Sequence, residues 1–228
     1  MTMEILYEDN HLIAVNKSCS EIVQGDKTGD IPLSETIKAY LKVKYNKPGE
    51  VFLGVTHRLD RPTSGVVLFA RTSKALTRLN DMFREKDSIK KTYWAITDKA
   101  PFRSSGTLKH WIVRNEKQNK SFAFDKEMPN SKEAIMEYVT IGKSDRYYLL
   151  EINLITGRHH QIRAQLSAIG CHIKGDMKYG FPRSNQNGGI HLHSRKVEFV
   201  HPVSKKQISI EAPVPDDILW KSITSHCC

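Results

Sequence analysis

Two apolar runs bracket a polar segment near residue 60, and they constrain the fold more than any other feature of the sequence. The runs, residues 51–55 and 66–70, are rich in Val, Leu and Phe, so both are predicted to be β-strands. Between them, Pro62 lacks a backbone donor and Gly65 allows a positive φ, so the chain is predicted to turn rather than to continue a strand. The polar residues between the runs are therefore expected at the end of a strand.

Asp60 is the acidic residue of this turn, and it lies between Arg58 and Arg61. Positive charge on both sides favours the ionised form of a carboxyl group, so we expect a lowered pKa for Asp60. An Asp in a turn also commonly does no more than accept backbone N–H bonds. The segment alone leaves both interpretations of Asp60 open.

The rest of the chain mixes strands and helices without a strict βαβ rhythm. Apolar residues three or four apart predict two helices, capped by Ser34 and Ser73. Such a mixture predicts an α+β fold with a mixed, mostly antiparallel sheet flanked by helices. The other predicted strands are residues 4–7, 12–16, 91–96, 134–141, 147–155, 191–199 and 207–212.

Residues 99–133 are the segment with the weakest pattern, because they are polar and contain Pro, Gly and many Lys, Asn and Ser residues. Short strands are expected near residues 108–113 and 122–124. We interpret the segment as an extended loop or hairpin.

The charge of the chain indicates a polyanionic partner. The net charge is +10 and the pI is about 9.4, with Lys and Arg spread along the sequence rather than collected in a tail. This distribution favours a basic patch on a folded surface, and RNA, DNA or acidic lipid would match it. A basic chain that binds no anion has the same composition.

The sequence also predicts a cytoplasmic protein without a membrane partner. No apolar run approaches the ~20 residues of a membrane span, and the first residues lack the basic and apolar regions of a signal peptide. No C-x-x-C pair is present, which argues against a zinc ribbon and against a disulfide framework. The four cysteines are Cys19, Cys171, Cys227 and Cys228.

A second informative stretch covers residues 154–163. Thr156-Gly157-Arg158 is predicted to open a helix that ends at Gly170, which would place His159 and Arg163 four residues apart on one face. A helix N-terminus beside Arg158 is typical of a phosphate or carboxylate site. An ordinary surface helix with charged residues would give the same pattern.

Taken together, these stretches resemble the RluA family of pseudouridine synthases. The first motif is H-R-L-D at residues 57–60 followed by T-S-G at 63–65, and the second is T-G-R-x-H-Q-I-R at 156–163 followed by Gly175-Asp176 and Tyr179-Gly180. The resemblance covers about residues 4–215. It implies a pseudouridine-synthase fold with a catalytic cleft across the sheet, and an enzyme that isomerises a uridine in structured RNA, either tRNA or rRNA.

The resemblance also implies a catalytic role for three residues. Asp60 would act on the ribose, by covalent attack or as a general base, and Arg163 would keep this carboxylate ionised and oriented. Tyr93, in Lys91-Thr92-Tyr93, would stack on the uracil and help to remove the C5 proton. Arg58 would fill the space left by the flipped base. Contacts with substrate RNA are predicted for Arg58, Arg61, Thr63, Arg158, His159 and Ile162.

The reaction breaks a C–N glycosidic bond and forms a C–C bond without redox change, so no cofactor is expected. No phosphate-cradling or dinucleotide motif is present, in agreement with that expectation. The ten histidines do not combine with carboxylates or cysteines at a ligand spacing, so no metal site is expected.

Two departures from the family pattern concern the ends of the first hairpin and of the chain. Where family members usually have K-P-x-G, this sequence has Lys17-Ser18-Cys19-Ser20. No S4-type RNA-binding module precedes the catalytic motifs. We therefore expect one catalytic domain over residues 1–228, monomeric, which grips RNA with its own basic face.

Two other functions are alternatives. A non-catalytic RNA-binding protein on the same scaffold would use the basic charge, but it would not need Asp60 and Arg163 together. A metal-dependent hydrolase would use the histidines. The missing S4-type module slightly favours tRNA or a short stem-loop over other RNA substrates.

Overall fold

The computed structural model describes residues 3–26, 28–85 and 88–225. Cys227 and Cys228, the adjacent cysteines at the tail, lie outside these residues. By its internal contacts the chain divides into two compact units, Met1–Ile89 with Ser194–Pro213, and Lys90–His193 with Val214–Cys228.

The described residues form eleven strands and four α-helices. None of these helices is long and apolar enough to span a membrane. The helices are α1 (Leu33–Lys44), α2 (Ser73–Arg84), α3 (Gln161–Ala168) and α4 (Ile218–Thr224). The strands are β1 (Glu4–Glu8), β2 (Leu12–Lys17), β3 (Gly54–Val55), β4 (Ser64–Ala70), β5 (Ile89–Thr97), β6 (Ser105–Asn115), β7 (Lys120–Phe124), β8 (Lys132–Lys143), β9 (Tyr148–Leu154), β10 (Leu192–Val200) and β11 (Gln207–Glu211).

In the first unit the strands follow the order β1-β2-β4-β10, with β3 paired to β4 and β11 paired to β10. The β1–β2, β2–β4, β3–β4 and β10–β11 pairs are antiparallel. Helix α2 buries Leu79 against a core that includes Leu12, Leu68 and Phe199, all of them at most 2% exposed. Burial of these apolar side chains is the main stabilising contribution to this unit.

In the second unit the strand order is β5-β9-β8-β6-β7. All four neighbouring pairs are antiparallel, so the predicted α+β architecture with mostly antiparallel pairing is confirmed. Residues 99–133, which had the weakest pattern, form β6, β7 and the start of β8. The short strands expected near residues 108–113 and 122–124 are therefore correct, and they belong to a long hairpin.

The helix boundaries differ from the prediction at several ends. Helix α1 begins at Leu33 after Pro32, so Ser34 lies inside the first turn and is not its cap. Thr72 rather than Ser73 caps α2, because its side chain accepts the Ala75 N–H. Helix α4 was not predicted, since two prolines precede it, yet Asp217 caps it by accepting two backbone N–H groups.

The predicted strand over residues 51–55 is mostly wrong, since only Gly54 and Val55 pair with β4. Beyond Val55, side chains occupy the backbone groups of Leu68 that a longer strand would use. The Thr56 hydroxyl donates to the Leu68 carbonyl at 2.6 Å, and His57 Nε2 accepts the Leu68 N–H at 3.0 Å. On the other side, β4 ends at Ala70, so residues 51–53 have no strand to pair with.

Gly65 has the positive φ that the sequence predicts, with a value of 112°. It lies inside β4 rather than in the turn, and a Cβ atom there would be 2.2 Å from the Ser194 carbonyl oxygen of β10. Glycine is therefore required both by the backbone conformation and by the close approach of β10.

Replacing Gly65 by Ala should lower the free energy of unfolding by about 2 kcal/mol or more, because strain and a backbone clash add. Urea denaturation of the wild type and the variant measures the change. Gly25→Ala is the matched control, since nothing lies within 4 Å of its Cβ position. Equal stability of the two variants would contradict the assignment.

Candidate active site

The predicted site residues are divided between the two compact units. Arg58, Asp60, Arg61 and Thr63 belong to the first unit. Tyr93, Arg158, His159, Ile162 and Arg163 belong to the second.

Asp60 lies in the turn that leads into β4, and its side chain is half-buried. Its carbonyl accepts the Thr63 N–H at 3.0 Å, which closes the turn. Thr63 is buried, and its hydroxyl has no hydrogen-bond partner among the described residues. The turn therefore contains one half-buried carboxylate and one buried hydroxyl without a partner among the described residues.

Lys17, the last residue of β2, stabilises this turn through hydrogen bonds to its backbone. Its side chain is 0% exposed, and its ammonium group donates to the carbonyls of Ser18 at 2.8 Å, Arg61 at 3.1 Å and Thr63 at 2.8 Å. Burial lowers the pKa of Lys17 to about 8, and the negative charges of Glu21 and Asp60 oppose that shift. A buried cation with three carbonyl acceptors fixes the backbone that follows Asp60.

The segment that departs from K-P-x-G keeps a tight turn by other means. Ser18 donates its N–H to the Glu21 carboxylate at 2.8 Å, a bond that proline could not make. Ser20 adopts a left-handed conformation with φ 74° and donates its N–H to the Arg61 carbonyl at 2.9 Å. The first bond closes the segment after β2, and the second holds that segment against the turn of Asp60.

The Arg61 guanidinium contacts the loop that precedes α1. The Arg61 guanidinium donates to Asp30 at 2.6 Å and to the Thr28 hydroxyl at 2.7 Å, and it lies 3.7 Å from Asp26. The hydrogen bond from Arg61 lowers the pKa of Asp30. Arg61 thus ties down the loop that precedes α1, whereas Arg58 has an exposed side chain.

Helix α3 begins at Gln161 and not at Gly157, because His160 has a left-handed backbone with φ 53°. Gln161 Oε1 accepts the Arg158 N–H at 2.9 Å and the Thr156 hydroxyl at 2.8 Å. The T-G-R segment is therefore a loop, and its Arg158 amide is already bound within the chain. The predicted helix end at Gly170, with φ 76°, is confirmed.

Arg163 forms a buried bidentate ion pair in the second unit. Its guanidinium donates to Asp176 twice, at 2.6 and 2.8 Å, with both side chains at most 5% exposed. The same guanidinium lies 4.9 Å from the centre of the Tyr179 ring. Asp176 and Tyr179 hold Arg163 in one orientation, as a planar bidentate pair does.

A chain of polar contacts continues from Tyr179 to the loop before α3. The Tyr179 hydroxyl accepts the Ser121 N–H at 2.8 Å and lies 2.9 Å from His160 Nδ1. Burial and the neighbouring Arg163 charge lower the pKa of His160 to about 2, so this imidazole is neutral at pH 7. His159 stacks on His160 with ring centres 3.8 Å apart, and its Nδ1 is 2.8 Å from the Ser121 hydroxyl.

Tyr93 lies in β5, opposite Ile152 of β9, and is buried. A Cβ atom at Gly157 would be 3.8 Å from Lys91 Nζ, so the K-x-Y strand and the T-G-R loop meet within the second unit. Burial lowers the pKa of Lys91.

The remaining predicted contacts differ in exposure. Ile162 is 4% exposed and packs in the interior, as its helical spacing predicts, whereas the Arg158 side chain is exposed and donates to the Glu133 carbonyl at 2.9 Å. Among the described residues, no group of three or more His, Cys, Asp or Glu side chains is arranged to hold a metal ion.

Sequence reasoning missed four residues that shape these sites: Lys17, His160, Asp176 and Tyr179. All four stand in quoted motifs, so their positions were visible in the sequence but their contacts were not. The left-handed backbone of His160 could not be read from the motif either.

Lys17→Met should lower the free energy of unfolding at pH 7 by about 2 kcal/mol, since three buried carbonyls lose their donor. Between pH 8 and the ordinary lysine pKa of 10.5, the unfolded wild type binds more protons than the folded one. The advantage of the wild type over the variant should therefore grow with pH in this range. Urea denaturation from pH 7 to 10, with the surface variant Lys38→Met as control, measures it. A difference that is independent of pH would contradict the low pKa.

Asp176→Asn should lower the free energy of unfolding by about 3–5 kcal/mol, because it leaves the buried Arg163 guanidinium without its carboxylate. Thermal and urea denaturation give the value. Asp216→Asn removes an exposed partner of Lys221 and should change stability by less than about 0.5 kcal/mol. Similar losses for the two variants would show that the buried pair does not stabilise this unit.

Comparison with known proteins places the chain among RNA-modifying enzymes. Residues 11–168 match the family described as RNA pseudouridylate synthase. The ribosomal large subunit pseudouridine synthase C of Rickettsia prowazekii is 34% identical over 220 residues, which are 94% of this chain and 69% of that protein. An uncharacterized RNA pseudouridine synthase of Bacillus subtilis is 32% identical over 219 residues, 95% of this chain and 70% of its own.

Two solved human structures share the fold. RNA Pseudouridylate Synthase Domain Containing 4 superimposes with a TM-score of 0.78 at 24% identity, over 93% of this chain and 89% of that chain. RNA Pseudouridylate Synthase Domain Containing 1 superimposes with a TM-score of 0.74 at 22% identity, over 99% of this chain and 86% of that chain. The pseudouridine-synthase fold and the RluA resemblance are thus confirmed. The chain belongs to the RNA pseudouridylate synthase family and is an isomerase that acts on RNA.

Proposed function

We propose that this enzyme isomerises a uridine of structured large-subunit ribosomal RNA, with Asp60 as its catalytic carboxylate. The observation that carries the proposal is the Asp60 turn, in which a half-buried carboxylate follows H-R-L and the backbone beyond it is fixed by Lys17. Relatives from Rickettsia and Vibrio, at 30–34% identity, are named for the large ribosomal subunit, which supports this RNA class.

The reaction needs a carboxylate beside the ribose and little else. The C1′–N1 bond breaks, the base turns, and a C1′–C5 bond forms while C5 loses a proton and N1 gains one. The composition of the nucleotide is unchanged, so no oxidant, cofactor or energy source is required. Asp60 acts on the sugar in this scheme, either as the nucleophile at C1′ or as the base that removes a ribose proton.

Arg163 is proposed as the charge partner of Asp60, and Tyr93 as the ring that stacks on the uracil. Support for Arg163 comes from its fixed guanidinium, which Asp176 and Tyr179 orient in advance. A pre-oriented cation stabilises charge without reorganisation during the reaction. Tyr93 offers a ring and a hydroxyl on a strand that its pairing with β9 makes rigid.

Contacts with RNA outside the reacting base are proposed for the accessible members of the predicted set. Arg58 and Arg158 have exposed side chains, which suits stacking on bases and binding of phosphates. The proposed contacts are Arg58, Arg61, Arg158 and His159, whereas the buried Thr63 and Ile162 are not proposed as contacts. We also propose that the enzyme works in the cytoplasm, where ribosomal RNA is modified, and as a monomer.

Asp60→Asn should reduce pseudouridine formation by about 10³-fold or more, because the amide can neither attack the sugar nor accept its proton. RNA binding should stay close to that of the wild type. Pseudouridine mapping after incubation with large-subunit ribosomal RNA, with tRNA in a parallel reaction, measures activity. A filter-binding titration measures affinity.

Asp81→Asn on α2 is the matched control, since its carboxylate is exposed and pairs with Arg84 on the same helix. It should leave both activity and binding unchanged. Substantial activity of Asp60→Asn would reject the catalytic role. Modification of tRNA in place of ribosomal RNA would reject the proposed substrate and leave the reaction itself intact.

A further inference from the structure

The hairpin β6–β7 carries a surface that the reaction does not use. Strand β7 ends the strand order of the second unit, and among the described residues its one strand partner is β6. In the register, Phe124 lies opposite Trp111, Phe122 opposite Val113 and Lys120 opposite Asn115. Residues opposite each other point to the same side of a sheet, so these side chains form one surface. We call the set Trp111, Val113, Lys120, Phe122 and Phe124 the hairpin face.

The hairpin face leaves aromatic rings open to solvent. Phe122 and Phe124 are 38% and 37% exposed, and Trp111 and Val113 beside them are half-buried. Lys120 places its ammonium group 5.3 Å from the centre of the Phe122 ring. Two phenylalanines on alternate residues of an end strand cost solvation free energy unless something covers them.

The charge of the hairpin indicates what covers the rings. Residues 105–132 contain six Lys or Arg residues and three Asp or Glu residues. Aromatic rings next to cations match single-stranded nucleic acid, in which bases stack on the rings and phosphates meet the ammonium groups. A second copy of the chain fits less well, because each copy carries a net charge of +10 and a lysine on an end strand disfavours strand pairing between copies.

The other side of β7 is fastened to the residues around Arg163. Ser121 is 1% exposed; it donates its N–H to the Tyr179 hydroxyl at 2.8 Å, and its own hydroxyl is 2.8 Å from His159 Nδ1. Lys178 donates to the Asn119 carbonyl at 3.1 Å, at the turn of the hairpin. RNA held on the hairpin face would therefore have a fixed position relative to Arg163.

We propose that the hairpin face binds unpaired nucleotides of the RNA substrate, outside the reacting uridine, by stacking bases on Phe122 and Phe124 with Lys120 at a phosphate. The proposal rests on the proposed function, since it deepens how that enzyme recognises RNA. In this proposal, strand β7 recognises the single-stranded RNA next to the stem that carries the modified uridine.

The test measures affinity without turnover, in the Asp60→Asn background of the full chain. The probes are a labelled RNA stem-loop with a single-stranded uridine extension and the same stem-loop without it. The double variant Phe122→Ser with Phe124→Ser should raise the Kd for the extended probe at least about tenfold, because stacking on two rings is lost. Its Kd for the probe without the extension should change little.

Two further variants separate recognition from general damage. Phe102→Ser removes a fully exposed aromatic elsewhere in the second unit and should leave both Kd values unchanged. Lys120→Gln should reduce the slope of log Kd against log salt concentration by about 0.7, as expected for one lost phosphate contact to a single strand. Circular dichroism and thermal unfolding verify that the variants fold.

Unchanged affinity of the double variant for the extended probe would overturn the proposal. So would an equal loss for both probes, or an equal loss in Phe102→Ser. Sedimentation showing a wild-type dimer that the double variant dissolves would assign the face to contacts between copies instead. Failure of the proposed function would be seen separately, as absent pseudouridine formation by the wild type while the affinity difference persists.

Discussion

A buried ammonium group holds the turn that carries Asp60. Lys17 stands at the end of β2, yet two of its three hydrogen bonds reach carbonyls just beyond Asp60. Removing a cation from water is costly, and three converging carbonyls offset that cost only in one geometry. The position of the carboxylate is thus dictated by a strand more than 40 residues earlier in the chain, and β4 can begin directly after the turn.

The second unit uses the same physical device. Arg163 is also a buried cation. Its guanidinium donates hydrogen bonds to Asp176 and lies over the Tyr179 ring. In both cases burial makes the charge expensive, and full pairing makes its position unique. Enzymes that act on charged transition states benefit from such fixed charges, because little reorganisation is needed during the reaction. The neutral His160 contacts the Tyr179 hydroxyl and so connects the loop before α3 to the same group of residues.

The motifs are visible in the sequence and the fold class could be predicted from it, because strand patterns, turn residues and motif spacing are local properties. Prediction failed where tertiary contacts decide the local structure. Helix α3 starts four residues late since His160 adopts a left-handed backbone, and residues 51–53 form no strand since β4 ends at Ala70. The role of Lys17 depends on carbonyls more than 40 residues away, and that of Asp176 on Arg163, 13 residues away; motif spacing reveals neither contact. The pairing of Asp60 with Arg163 stays a prediction.

The segment Ser18-Cys19-Ser20 has a consequence for how sequences of this kind can diverge. Its turn is held by the Lys17 ammonium, the Glu21 carboxylate and the Arg61 carbonyl, not by the stiffness of proline or the freedom of glycine. A serine with φ 74° bears a modest conformational cost that these bonds repay. Positions 18 and 20 can therefore drift over evolutionary time, provided that the lysine beneath them is retained. A motif search that requires the Pro and Gly of K-P-x-G would miss chains that hold the turn in this way.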